Sequence, residues 1–194
     1  MMKEAFSVVL LAGGQSRRMG WDKAMLPWYR ETLLSSLLKK YRSLSEDVIV
    51  AGHLGRPLPP GVRGVEDVFP GQGPLAGLHA GLLSARYEWV FVSACDTPFF
   101  PLAMVQALTE TAIQKKLEGA AILYKGRPEP LLACYRRSCV PVIETMLTQG
   151  EGRVYRLLEH IQWEGISRPP GLEDIWFFNI NTKEEYHIAL SKAP

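Results

Sequence analysis

The chain has 194 residues, with 22 Lys and Arg against 20 Asp and Glu, a net charge of +2 and 47% hydrophobic residues. That length suits one domain with its own buried core and no need for disulfide staples. The balance of charge and a mean hydropathy of −0.02 exclude a disordered chain, a membrane protein and, as a matter of bulk electrostatics, a nucleic-acid binder.

The N-terminus, Met1-Met2-Lys3-Glu4-Ala5-Phe6, leads into an apolar stretch that reaches only from Val8 to Ala12 before two glycines. It lacks the longer apolar core of a secretory signal, so the mature chain is expected to start here and to stay in the cytoplasm. From Phe6 to Leu11 the run is β-branched and leucine-rich, as in a strand covered on both faces. Leu33, Leu34, Leu37, Leu38 and Tyr41 recur at helical spacing, and Asp47 to Ala51 reads as a second strand. The Gly- and Pro-rich stretch from Gly55 to Pro74 reads as a loop, and Leu75 to Ser84 as a helix of small residues.

Trp89 to Ser93 is the next buried strand and runs straight into Cys95-Asp96-Thr97-Pro98. Pro101 opens a helix with Leu102, Val105, Leu108 and Ala112 on one face. Gly119 to Tyr124 and Pro130 to Tyr135 read as strands around a turn-rich Lys125-Gly126-Arg127-Pro128-Glu129, Val140 to Leu147 and Val154 to Ile161 as helices, Ile175 to Ile180 as a last strand, and Thr182 as the start of a C-terminal helix. Alternating strands and helices give an α/β fold: one domain with an open, mostly parallel, Rossmann-like sheet and helices on both faces. Ligands of such sheets lie beyond the carboxyl ends of the strands.

The three cysteines, Cys95, Cys134 and Cys139, form no C-x-x-C pair and suit reduced thiols in a cytosolic compartment. The four histidines, His53, His79, His160 and His187, lie too far apart in sequence to make a helical metal pair, and His53 and His79 read as structural or solvated. Chemistry is concentrated in the loop after the first strand. Gly13 and Gly14 allow backbone amides to form a nest for phosphate oxygens, and Arg17, Arg18 and Lys23 follow as cations. The segment is neither a P-loop nor a dinucleotide fingerprint, because G-K-[ST] and G-x-G-x-x-G are both absent.

The full string L-A-G-G-Q-S-R-R-M-G-W-D-K resembles the signature loop of the molybdenum cofactor guanylyltransferases, a MobA-like branch of the nucleotidyltransferase superfamily. The resemblance continues in Gly73-Pro74-Leu75-Ala76-Gly77, in Cys95-Asp96-Thr97-Pro98 and in Asn179-Ile180-Asn181-Thr182. It implies transfer of GMP from GTP to the phosphate of molybdenum-loaded molybdopterin, with release of pyrophosphate. It implies that Leu11, Ala12 and Gly13 border base and ribose, that Lys23 with Arg17 or Arg18 holds phosphates, that Gly14 selects a purine, and that Asp67, Gly73, Pro74 and Leu75 lie by the nucleotide. On the same basis Asn179, Asn181 and Arg153 belong to the pterin side, residues 1–100 being mainly the nucleotide half and 101–194 mainly the acceptor half. Two positions depart from the family pattern: His53 stands where an asparagine is common, and Lys183 where a proline is.

Several of these residues have plainer readings. Asp96, at the carboxyl end of a strand, is placed to hold Mg2+ together with substrate phosphates, or to cap the helix near Pro101. Glu66 and Asp67 could be a solvated turn pair, Asp22 could orient Lys23, and Arg153 and Arg156 could face solvent. Asn181 or Thr182 before Glu184-Glu185 suits a helix cap. The acceptor phosphate is already mostly dianionic at neutral pH, with a second pKa of about 6, so no catalytic base is required. Rival readings are a cytidylyltransferase or sugar-phosphate nucleotidyltransferase, and a GTP-binding regulatory module without turnover. Protein partners would be those that deliver the cofactor and the molybdoenzymes that accept it; neither membrane nor nucleic acid is expected.

Overall fold

A computed structural model of the protein describes residues 4–13, 22–52, 55–167 and 174–192. In chain order the elements are β1 (Ser7–Leu11), β2 (Pro27–Trp28), β3 (Glu31–Thr32), α1 (Leu33–Arg42), β4 (Val48–Ala51), β5 (Val62–Val65), α2 (Pro74–Ser84) and β6 (Trp89–Ala94). They continue with α3 (Leu102–Gln114), β7 (Gly119–Tyr124), β8 (Arg127–Arg136), α4 (Val140–Thr148), α5 (Val154–Leu157), β9 (Trp163–Ser167) and α6 (Lys183–Lys192).

The main sheet has seven strands in the order β5-β4-β1-β6-β8-β7-β9. All pairings are parallel except the two that β8 makes, with β6 and with β7. Strand periodicity sorts the apolar residues by face. Val8, Leu10, Val48, Val50 and Phe91 join α1, α3 and α6 in one core, while Val9, Leu11, Ile49, Ala51, Val90 and Val92 join α2, α4 and α5 in the other. The expected open α/β sheet with helices on both faces is therefore the fold. From β1 the chain steps outward to β4 and β5 and then returns to β6 on the other side of β1, so the strand order reverses there, where open sheets bind ligands.

Local differences from the sequence reading have local causes. The Gly55–Pro74 loop contains β5, an edge strand whose Val-Arg-Gly-Val is too short and too exposed to show a buried pattern. Ile175–Ile180 is no strand: Asp174–Phe177 is a 3-10 turn, and Phe177 stacks on Tyr124 at 4.4 Å between ring centres. The apolar density there serves packing against the face of a side chain, not a ladder. The helix read from Val154 to Ile161 stops at Leu157, and β9, unread in the sequence, follows as the far edge of the sheet beside β7. The turn-rich Lys125–Glu129 narrows to Lys125-Gly126, both at positive φ (51° and 76°), and β8 begins at Arg127.

Candidate functional site

β1, β4 and β6 end side by side, and the loops leaving them enclose a cavity of about 610 Å³. Leu11, Ala12 and Gly13 form one wall, Ala51 and Gly52 the next, Cys95 and Asp96 a third, and Asp67 and Gly73 from the loop before α2, with Pro74 and Gly77 of α2, close it. The backbones meet without side chains between them: a Cβ on Gly52, itself at φ +68°, would sit 2.4 Å from the Gly13 Cα. Helix α2 lies equally low, since a Cβ on Gly81 would meet Val9 Cγ1 at 2.5 Å. The small residues of G-P-L-A-G and the turn after it thus let the helix start descend onto the sheet beside the cavity. The first amides of this helix are spent within the protein: Pro74 has none, the Leu75 N–H donates to the Gly152 carbonyl at 3.1 Å and the Ala76 N–H to the Gly73 carbonyl at 3.2 Å.

Lys23 begins a 3-10 turn, Lys23–Met25, capped by Asp22 Oδ1, which accepts the Ala24 N–H at 3.1 Å. Its ammonium, 17% exposed, donates to Asp96 Oδ2 at 3.2 Å and to Asn181 Oδ1 at 2.8 Å. Two segments, 73 and 158 residues from Lys23 along the chain, thereby converge on its nitrogen. The Asp96 loop is tied down twice more. The Ile180 N–H donates to the Asp96 carbonyl at 2.9 Å, and Lys40 Nζ donates to the Pro98 carbonyl at 2.8 Å, its own pKa pushed down to about 8 by burial. Asp96 is not the cap of α3, whose N-cap is Pro101.

Asp67 projects into the cavity from the loop before α2. Burial first, and the neighbouring Glu66 charge second, raise its pKa, and its Oδ1 is buried with no hydrogen-bond partner among the described residues. Burial and the adjacent Asp96 charge push the Cys95 thiol up to about 12, which removes it as a nucleophile. A second cavity, of about 520 Å³, lies beyond Asn181 and is lined by Tyr124, Phe177, Phe178, Asn179 and Asn181. Asn181 is held there because Thr182 caps α6 through a reciprocal box: Glu185 N–H donates to Thr182 Oγ1, and Glu185 Oε2 accepts the N–H groups of Asn181 and Thr182.

The structure thus brings Leu11, Ala12, Gly13, Lys23, Asp67, Gly73, Pro74 and Asp96 around one cavity, and Asn179 and Asn181 around the next. Leu75 differs from the sequence reading: its side chain is fully buried in the core and only its N–H takes part, in the bond to Gly152. Arg153 lines neither cavity, and its guanidinium is held by Glu151 at 2.6 and 2.8 Å. His79 is buried, against Glu144 at 3.1 Å and edge-on to Phe69. Gly14, Arg17, Arg18 and His53 lie outside the described residues. Sequence reasoning missed Arg56, Gly52 and Leu131 at or beside the first cavity; only Gly52, directly after a strand, carried a signal.

A family model for the MobA-like NTP transferase domain matches residues 8–164. The chain belongs to the MobA-like NTP transferase family. Within it, the molybdenum cofactor guanylyltransferase of Desulfosudis oleivorans is 34% identical over 96% of this chain and 95% of that protein. The crystal structure of molybdopterin-guanine dinucleotide biosynthesis protein A from Archaeoglobus fulgidus superposes with a TM-score of 0.82 at 25% identity, covering 95% of this chain and 97% of that one. The 2-C-methyl-D-erythritol 4-phosphate cytidylyltransferase of Thermus thermophilus, 18% identical with a TM-score of 0.71 over 97% and 98% of the two chains, shares the fold. The chain is thus a nucleotidyltransferase of the MobA-like family, and its first cavity lies at the strand ends where the sheet reverses its order.

Proposed function

We propose that the protein transfers GMP from GTP to the terminal phosphate of molybdenum-loaded molybdopterin, forming molybdopterin guanine dinucleotide and releasing pyrophosphate. The observation that carries this is the convergence of Lys23, Asp96 and Asn181 at the wall between two cavities. A phosphoryl transfer needs two substrates meeting at a cation, and that is what the wall supplies. The nucleotide occupies the first cavity, with base and ribose along Leu11, Ala12 and Gly13 and under Asp67, Gly73 and Pro74. Its phosphates run toward Lys23, joined by Arg17 and Arg18 from the glycine loop. The acceptor enters from the side of Asn179 and Asn181, whose amides suit a polar heterocycle, with Arg153 on the same half of the chain. Residues 1–100 then serve mainly the nucleotide and 101–194 mainly the acceptor.

The acceptor phosphate is its own nucleophile, so the protein's part is to align two polyanions and offset their charge. Lys23 stabilises the charge on the reacting phosphates and on departing pyrophosphate. The donor set fits Mg2+: a hard ion takes one or two carboxylates plus phosphate oxygens, and Asp96 and Asp67, whose Oδ1 has no hydrogen-bond partner among the described residues, line the cavity that would hold those phosphates. Mg2+ held by Asp96 would supply charge neutralisation across the phosphate oxygens. No described helix is long and apolar enough to cross a membrane, and three free, buried thiols suit the reducing cytoplasm.

The test is pyrophosphate release with Mg-GTP and molybdenum-loaded molybdopterin, run in parallel with CTP and UTP and with sugar phosphates as acceptors. Turnover that requires both GTP and molybdopterin is the expected result; a preference for CTP, or Mg-GTP binding with no turnover, would replace the assignment. Lys23→Ala should lower kcat/KM by about 100-fold or more with an unchanged circular dichroism spectrum.

A further inference from the structure

Arg56 sits behind the first cavity without lining it. Its side chain is 7% exposed; Nε donates to Asp22 Oδ2 at 2.7 Å and Nη1 to the Gly52 carbonyl at 2.8 Å. Arginine cannot shed its proton in a protein, so this is a permanent buried charge. A buried ion pair gives no more stability than well-packed apolar groups of the same volume, so the fold alone gives no reason for it.

The reason lies with Asp22. That carboxylate is 38% exposed, lines the nucleotide cavity and caps the turn that carries Lys23. A bare carboxylate there would repel a triphosphate and set a negative charge beside the lysine that must attract it. We propose that Arg56 is a positioning residue for nucleotide binding: it neutralises Asp22 while leaving it free to cap the Lys23 turn, and it anchors Gly52 against Gly13. The cavity wall then carries one uncompensated negative charge fewer beside Lys23, whose ammonium already meets Asp96. This rests on the triphosphate occupying the first cavity.

The test measures Mg-GTP binding by calorimetry, together with kcat and KM for pyrophosphate release, on the full chain. Arg56→Met keeps much of the stem's apolar volume and leaves Asp22 unpaired. It should weaken Mg-GTP binding and raise KM by about tenfold or more, with kcat changed by less than about threefold. The loss should shrink as ionic strength rises, because it is a repulsion near the protein surface. Arg56→Lys should recover part of the affinity. The deciding arm is Arg56→Met combined with Asp22→Asn, in which the amide oxygen still caps Ala24 and the Asp22 charge is gone: binding should return to within about threefold of the parent. Thermal midpoints accompany every variant, and if Arg56→Met fails to fold, the folded double variant carries the test. Parent-like binding by folded Arg56→Met, or a folded double variant that binds no better than Arg56→Met or not at all, overturns the proposal. Failure of the unaltered protein to bind Mg-GTP overturns the nucleotide assignment itself, before any change at Arg56 is made.

Discussion

Asp67 shows how a residue can be poor for the empty protein and good for the loaded one. Burial and Glu66 disfavour its charged form, and one of its oxygens has no partner among the described residues. Because the folded pKa is raised, ionisation penalises the fold at pH values above it, and a neutral amide removes that penalty. Asp67→Asn should therefore unfold at an equal or higher temperature at pH 7 while binding Mg-GTP more weakly; a lower midpoint with unchanged binding would place Asp67 in the structure and not in the site. The glycine loop, Lys23, Asp96 and Asn181 were all legible as candidates, because each stands in a short string directly after a strand or before a helix. That Asn181 bonds Lys23 was not legible, since nothing local relates two residues 158 positions apart. Arg56 was missed for a related reason: a lone arginine in a proline-rich stretch looks solvated until its partner Asp22 is placed beside it.

Helix α2 lies close on the sheet through its glycines. Its fully buried Leu75, Leu78 and Leu82 fill the core on either side, but Gly81 faces Val9 directly. Gly81→Ala places a methyl within 2.5 Å of a β-branched side chain that has no room to turn, and should cost roughly 1–3 kcal/mol in urea unfolding. The same shift would lift Gly77 from Leu11 and open the nucleotide cavity, so affinity for Mg-GTP should fall in step. The cap of α6 makes a second case. Thr182→Ala removes the oxygen that accepts the Glu185 N–H and should cost about 1 kcal/mol. Long buried strands and capped helices were readable from periodicity. β5 and β9, edge strands only partly buried, and the aromatic turn before Asn179 were not, because tertiary packing and not local pattern decides them.

At the scale of the whole molecule, acid sensitivity has a buried centre at Asp47. Asp47 is buried where β4 begins. Burial would raise its pKa, but the Ser7 hydroxyl, the Arg86 N–H and the Arg63 guanidinium together hold it below the usual carboxylate range. A depressed folded pKa contributes stability above the unfolded value of about 4 and loses it as pH falls through the folded one. Stability measured by denaturant should therefore drop on going below about pH 4, and Asp47→Asn should flatten that drop while lowering stability at pH 7. An unaltered acid limb in the variant would assign the sensitivity elsewhere.

The last helix has a consequence for where the chain can be divided. Tyr29 in the hairpin donates to the Leu190 carbonyl at 2.9 Å, and Tyr186 donates back to the Pro27 carbonyl, so the chain's tail is buttoned onto the segment that follows Lys23. The span matched by the family model stops at residue 164, short of both Asn181 and this clasp. A fragment cut to that span would retain every strand up to β8 and most of the first cavity, yet the Lys23 ammonium would keep Asp96 and lose Asn181. Supplied separately, a peptide covering residues 174–192 should restore part of what the trimming removes.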